Sequence, residues 1–546
     1  MLAADGTPLK KSLARALRVQ KLRALFLIAP LLLFVLVTFI APIADMLFRS
    51  VENQIVSNTL QRTVPALASF DPNAQDAPAA DVYEDLYYDM FLASEAKEHT
   101  RLGTRLNYEE TGISSLFRST GRGVDDIGEV QIDALEDLGK HWEDETFWYA
   151  LMTGGDGAAT DTAPLDLALS RLSTLTGDSY REDIGFVPGA DISALLPATV
   201  GEYASFAGFK AIADGDVVAE EEPWEAVKVA LIGELQSGVD LSGYTGPGAA
   251  ELRDAQAALA DLPAVDFQAG FLDIDEDWGA NSTWRVIKIY APPITAGYFL
   301  NAIDMQKGVD GVERRPENEQ IYVMLFKRTL FMSMVITISC ILLGYPIAWI
   351  LANLPTRQAN ILLILVLLPF WTSLLVRTSA WKVMLQQQGV VNDVLVWLGM
   401  VADDGRLIMM NNQVGTIIAM THILLPFMIL PMYSVMQTIP PSYLRAAKSL
   451  GATNFTAFWR VYFPQTVPGI GAGSILVFIL AIGYYITPEI VGGTTGTFIS
   501  NRIAYHISSS LNWGLAAALG SILLVAVLIL YWAYDKIVGI DNVKLG

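Results

Sequence analysis

The stretch Pro440–Ile470, PPSYLRAAKSLGATNFTAFWRVYFPQTVPGI, has the residue types and spacing that point most clearly to a task. Pro440 and Pro441 end the helix that precedes them, and Ser442 is placed to cap a short new one. Tyr443–Leu450 supplies two turns, and Gly451 can take the left-handed conformation that stops them. Thr453 can cap a second helix running through Phe463, broken by Pro464 and Pro468. Two short helices at an angle, joined by a glycine hinge and carrying Ala446 and Ala447, make a unit able to enter a groove on a partner. An ordinary connection between apolar helices is the other reading, and geometry alone leaves both open.

Polar groups inside apolar runs are the next candidates, because such groups are expensive in a membrane and often mark a pathway. His422 lies midway along one run, where it can make an interhelical hydrogen bond or touch a solute. Tyr484 and Tyr485, with Glu489 a turn further on, offer aromatic faces and a carboxylate, chemistry suited to a cation. An interfacial aromatic belt with a solvated carboxylate is the alternative. Asp45 reads as interfacial and Arg377 as a packing or snorkelling residue without a transport role.

Catalytic constellations are scarce. Between residues 51 and 320 the histidines are His99 and His141, with no H-E-x-x-H, cysteine cluster or G-x-S-x-G elbow, and no metal site is expected. Carboxylates abound there, so a glycosidase-like pair stays open. No G-x-x-x-x-G-K-[ST] run occurs, so no nucleotide-binding loop of that kind is encoded. The single cysteine, Cys340, rules out an intrachain disulfide, and any folded polar region must be held by packing alone.

The elements that position these residues follow from hydropathy. The chain is 52% hydrophobic and 17% charged, yet its formal net charge is -21. Residues 51–320 hold 49 acidic and 17 basic side chains, whereas the remainder holds 8 and 19. An acidic, polar middle therefore interrupts a basic, apolar remainder. A crossing helix needs about 20 apolar residues. Six runs qualify: Leu25–Phe48, Thr329–Leu351, Ile361–Met384, Val414–Met436, Gly471–Val491 and Leu515–Tyr534. The first follows Lys10, Lys11, Arg15, Arg18, Lys21 and Arg23. It is of full spanning length with no small-x-small site after it, so it reads as an uncleaved span with a cytoplasmic basic flank.

Six crossings place both termini in the cytoplasm. Arg357, the group Arg445, Lys448 and Arg460, and the pair Lys536 and Lys544 then lie on the inner side. Lys327, Arg328, Arg377, Lys382, Arg406 and Arg502 fall near the outer ends against this tendency. The expected organisation is a basic cytoplasmic N-terminus (1–24), a first span (25–48), an acidic periplasmic domain (49–320), a five-helix core (321–534) with a cytoplasmic loop at 438–470, and a cytoplasmic tail (535–546). The fold class is all-α: a polytopic membrane protein whose external domain, inserted between helices 1 and 2, is mostly helical. Tyr87, Tyr88, Trp142, Phe147, Trp148, Trp224 and Trp284 give that domain the makings of a core. Asp71–Ala80 and Gly154–Pro164 read as loops. Its acidity either keeps a large domain soluble or gathers cations near an entrance.

With these residues in view, RAAKSLGA followed by Pro464 and Pro468-Gly469 resembles the cytoplasmic "EAA" loop of permeases from binding-protein-dependent ATP-binding-cassette (ABC) importers. The match falls on Ala446, Ala447, Gly451, Pro464 and Gly469, and departs at Arg445, where that family usually has Glu. Leu367–Leu395, Thr487–Ile503 and Asn512-Trp513 resemble the spermidine/putrescine branch, closely over about 318–546 and loosely over 1–50. The resemblance implies a coupling helix in which Arg445, Ala446, Ala447, Lys448, Gly451, Ala452 and Pro464 meet an ATPase. It implies alternating access for a small solute such as a polyamine, and no catalysis or cofactor in this chain, since ATP and Mg belong to the partner. It further implies an inner-membrane location, an ATPase dimer, a second homologous permease and a periplasmic solute-binding protein. The lipid bilayer surrounds the assembly, and no nucleic acid is expected. A membrane-anchored external enzyme is the competing reading. A sensor would need an output domain, and only about a dozen residues follow Asp535.

Overall fold

The computed structural model describes residues 9–73, 76–155, 157–180 and 184–538. The chain divides into two compact units. One comprises Met1–Val51, Tyr298–Met305 and Arg314–Gly546; the other comprises Glu52–Gly297 and Gln306–Glu313. The expected boundary at 49–320 is thus refined: Tyr298–Met305 and the residues from Arg314 onward belong with the apolar helices. Among the described residues, strand is confined to Met305–Lys307 and Val312–Arg314.

In the apolar unit, five described helices are long and apolar enough to cross a membrane: Gln20–Arg49, Tyr322–Asn353, Gln413–Gln437, Asn454–Gly483 and Trp513–Tyr534. The run read as one span at Ile361–Met384 is instead a bent pair, Thr356–Trp371 and Leu374–Met384, meeting at 94°. Pro369 has no N–H to continue the helix, Thr372 and Ser373 are extended, and Ser373 Oγ accepts from Val376 N to cap the second half. Counted as one crossing, the pair brings the total to six.

The expected break at Pro464 and Pro468 is also corrected. The second helix of the 438–470 segment runs without interruption into the fifth span, so that span begins at Asn454 and ends at Gly483 rather than covering Gly471–Val491. A π-turn, Phe458–Tyr462, precedes Pro464, and Phe463 N bonds to Phe458 O. The extra residue in that turn makes room for the proline ring, which in a regular helix crowds the carbonyl four residues earlier. The first helix uses the same device: a π-turn at Leu36–Ile40 lies just ahead of Pro42. That helix begins at Leu9 and crosses the expected 24/25 boundary. Residues 1–8, and 539–546 of the tail, lie outside the described residues, as do the side chains of Lys10, Lys11 and Arg15.

Helices Tyr322–Asn353, Gln413–Gln437 and Asn454–Gly483 share a core that includes Met332, Ile336, Cys340, Met420, Met428, Met432 and Val477. Small residues set their spacing: a Cβ on Gly473 would lie 3.1 Å from Met428 O, and one on Gly469 would lie 3.1 Å from Met432 Cα. A second cluster joins Tyr298, Tyr322, Leu325, Ile499, Leu515 and Leu519. The start of Tyr322–Asn353 is held by Asp304, whose carboxylate accepts from the N–H groups of Ile321, Tyr322 and Val323 at 3.0, 2.8 and 2.8 Å. A carboxylate there satisfies orphan donors and complements the helix dipole.

The acidic unit is helical and densely packed. Trp142, Trp148, Trp278, Trp284, Tyr83 and Tyr87 are fully buried. Each such aromatic removes about 150–250 Å² from water, worth roughly 4–6 kcal/mol at about 25 cal/mol per Å². Indole donors are placed as well: Trp148 Nε1 reaches Trp142 O at 2.9 Å, and Trp284 Nε1 reaches Trp278 O at 2.8 Å. Arg62 pairs with Glu202 at 2.5 Å, and Lys228 with Glu136 at 2.6 Å. This packing supplies what a disulfide-free domain needs.

Candidate functional site

The 438–470 segment builds from its caps. The first helix is Pro441–Ser449, with Pro440 at the N-cap position and Pro441 in the first turn. Ser442 therefore lies inside the helix and makes no side-chain cap, because Pro441 already suits a position whose N–H has no partner. Gly451 has φ +89°, Gly451 N bonds to Lys448 O, and Ala452 N bonds to Ala447 O, each at 3.0 Å. This pair of bonds around a left-handed residue is the Schellman stop. Thr453 Oγ1 then accepts from Thr456 N at 3.2 Å and starts the next helix.

Leu444, Phe458 and Tyr462 anchor the segment in the core of the apolar unit. Several of its large side chains are exposed instead: Tyr443 is 50% exposed, Leu450 89%, Phe455 74% and Trp459 47%. Arg445, Ala446, Lys448 and Pro464 are exposed, and Ala447 and Ala452 are half-buried. The segment carries Arg445, Lys448 and Arg460 and no carboxylate. It is a basic ledge with exposed apolar side chains, a combination suited to a protein partner.

His422 is half-buried and accepts a hydrogen bond from Trp381 Nε1 at 3.1 Å, with the rings near edge-on. The half-helix Leu374–Met384 is thereby tied to the fourth span. Thr378 Oγ1 lies 3.2 Å from Thr487 Oγ1 and joins the same half-helix to Ile486–Val491.

After Gly483 the chain folds into Ile486–Val491, Gly493–Gly496 and Ile499–Ser508 before the last span. Tyr484 is half-buried, and Tyr485 and Glu489 are exposed. Ser500 Oγ donates to Tyr484 O at 2.8 Å; Asn501 Nδ2 donates to Tyr485 O at 2.9 Å and to Glu489 Oε2 at 2.5 Å. The structure thus gathers Tyr484, Tyr485 and Glu489 around Ser500 and Asn501, and gives His422 a different partner. Further anchors hold this segment: Thr416 Oγ1 to Gly496 O at 3.1 Å, Arg328 to Thr494 O at 2.8 Å, and Ile499 N to Thr329 Oγ1 at 2.8 Å. Sequence reasoning did not single out Ser500 or Asn501. Their types, small polar residues at a helix start, were the available signal.

A broken helix, short helices packed between spans, and a basic ledge at the end of one span make a polytopic helical bundle of a kind suited to membrane transport. The model of the family described as binding-protein-dependent transport system inner membrane component matches residues 328–538. The spermidine/putrescine transport system permease protein PotB of Salmonella typhimurium is 35% identical over 222 residues, covering 40% of this chain and 77% of the relative. PotB of Haemophilus influenzae is 37% identical over 251 residues, covering 45% and 82%. The inner membrane ABC transporter permease protein YdcU of Escherichia coli is 35% identical over 224 residues, covering 39% and 70%. The chain belongs to this family: it is an ABC importer permease of the polyamine branch, a transport subunit and not an enzyme.

Proposed function

We propose that this permease carries a polyamine such as spermidine or putrescine into the cytoplasm by alternating access, driven by a separate ATPase. The observation that carries the energy-coupling part is the exposed face of 438–470. Tyr443, Ala446 and Leu450 are spaced to lie along one side of the first helix, on a ledge with three cations. An ATPase dimer, binding ATP and Mg, docks there through Arg445, Ala446, Ala447, Lys448, Gly451, Ala452 and Pro464. Arg445, where the family pattern has Glu, meets an acidic residue of that partner. The ledge is cytoplasmic, both termini lie on its side, and the acidic unit faces the periplasm, where a solute-binding protein delivers the cargo. A second, homologous permease completes the pathway.

Support for a polyamine comes from the PotB relatives and from Glu489, an exposed carboxylate that Asn501 ties to the Tyr485 backbone, with the Tyr485 side chain exposed as well. Tyr484 lines the same region, and His422 contributes to the path through the half-helix that it holds. The test is co-expression with the ATPase, second permease and binding protein, followed by uptake of labelled putrescine and spermidine. Uptake is expected to vanish with a hydrolysis-dead ATPase, and uptake that persists overturns the mechanism.

A further inference from the structure

We propose that Asn501 is a positioning residue that fixes the Glu489 carboxylate as the acceptor for an ammonium group of the transported solute. The inference rests on the polyamine reading above and extends it to a specific pair of atoms. Between residues 321 and 534 the sequence has ten Lys and Arg but only four carboxylates. Three of these, Asp393, Asp403 and Asp404, lie in the connection before the fourth span, where Asp393 and Asp403 pair with Arg406 at 2.7 and 2.9 Å. Glu489 is the remaining one. Although cations outnumber carboxylates in this stretch, among the described residues none pairs with Glu489. Arg502, next to Asn501, instead lies over the Tyr505 ring at 5.7 Å.

What holds Glu489 is a neutral amide. Asn501 is 6% exposed, and its side chain is fully committed. Oδ1 accepts from Phe498 N at 3.0 Å, while Nδ2 donates to Tyr485 O and to Glu489 Oε2. An amide orients a carboxylate without cancelling its charge, as an Arg or Lys would. One carboxylate oxygen is used; Oε1 has no protein partner among the described residues, and the Glu489 side chain is exposed, as is that of Tyr485 one helical turn earlier. A fixed, exposed anion with a free oxygen can accept from an alkylammonium group.

The test uses the complete assembly in proteoliposomes with labelled putrescine. Glu489→Gln is expected to raise KM about tenfold or more while leaving the maximal rate within about twofold. Asn501→Asp is isosteric and keeps the acceptor for Phe498 N, but it loses both donors and sets a second carboxylate against Glu489; a similar rise in KM is expected. In the E489Q background, N501D should raise KM no further. A merely structural Asn501 would lower the maximal rate and the amount of folded protein equally in both backgrounds, and that result, or an unchanged KM in N501D, overturns the assignment. Asn501→Ser, whose hydroxyl can still receive the Phe498 N–H, carries the same two outcomes if N501D does not accumulate. A wild-type assembly that takes up neither putrescine nor spermidine sinks the polyamine reading and this inference together. Wild-type uptake with an indifferent N501D sinks only the role of Asn501.

Discussion

Trp381 donates its indole N–H to His422 Nδ1 across 3.1 Å, and this bond crosses the gap between the half-helix after the Pro369 break and the fourth span. A broken helix lacks the continuous ladder that would fix its second half, so side-chain bonds to neighbours must do it. Interhelical bonds in membranes are worth about 0.6 kcal/mol on average and up to about 1.7. Trp381→Phe and His422→Phe should each lower the melting temperature of the purified protein by a few degrees. The double variant should do little more than the larger single effect, because both remove one interaction. Additive losses would show that the two residues act separately.

Gly496 supports a backbone-to-backbone crossing. A Cβ there would lie 2.6 Å from Asn412 O and 2.6 Å from Thr416 Oγ1, the hydroxyl that itself bonds Gly496 O. Neither backbone can retreat without breaking the cap that Asn412 gives the fourth span through Gly415 N. Gly496→Ala should therefore destabilise by about 1–3 kcal/mol, read as a fall in melting temperature. Gly483→Ala, with nothing within 4 Å of the added carbon, is the control and should be near neutral.

Much of this architecture is legible in the residues, and the exceptions share a cause. Apolar runs located the crossing helices, and Gly451 announced a left-handed stop that the backbone adopts at φ +89°. The break at Leu368–Ser373 was hidden because Leu, Phe and Trp continue the apolar run straight through Pro369. The continuity past Pro464 was hidden because a π-turn is a shift in hydrogen-bond register with no side-chain signature. The clamp on Glu489 depends on Asn501 returning from the next helix to face it, and on anchors as distant in sequence as Thr416 with Gly496. Local propensity carries no record of such tertiary meetings.

Asp89 in the acidic unit gives a pH prediction. Burial pushes its carboxyl up from an ordinary 3.8 to about 6, against the hydrogen bonds from Thr63 and Arg62 that favour the charged form. An acid whose folded pKa is raised contributes stability that is present below its unfolded pKa and is lost as pH climbs through the folded one. The window is therefore about pH 4 to 6, and the contribution is roughly 3 kcal/mol at most. Hydrogen exchange of the Ala80–Glu95 helix should show more protection at pH 5 than at pH 7.5, and Asp89→Asn should remove that difference. A pH dependence unchanged in D89N would mean that other carboxylates set it.

The hinge at Gly451 offers the sharpest separation of backbone geometry from contact. Nothing lies within 4 Å of a Cβ built there, so a substitution meets no steric obstacle, only the left-handed φ of +89°. An ordinary L-residue costs about 1–2 kcal/mol in that region, whereas Asn tolerates it. Gly451→Val should disturb the angle between Pro441–Ser449 and the helix that starts at Asn454, leaving insertion into the membrane intact. If the ledge transmits motion from the ATPase, an assembly built with this variant should still hydrolyse ATP but with sharply reduced uptake, and one with Gly451→Asn should retain most of both. The ratio of solute moved to ATP consumed, measured in proteoliposomes, decides it. A Val variant with the wild-type ratio would leave the left-handed turn a local stop with no part in coupling.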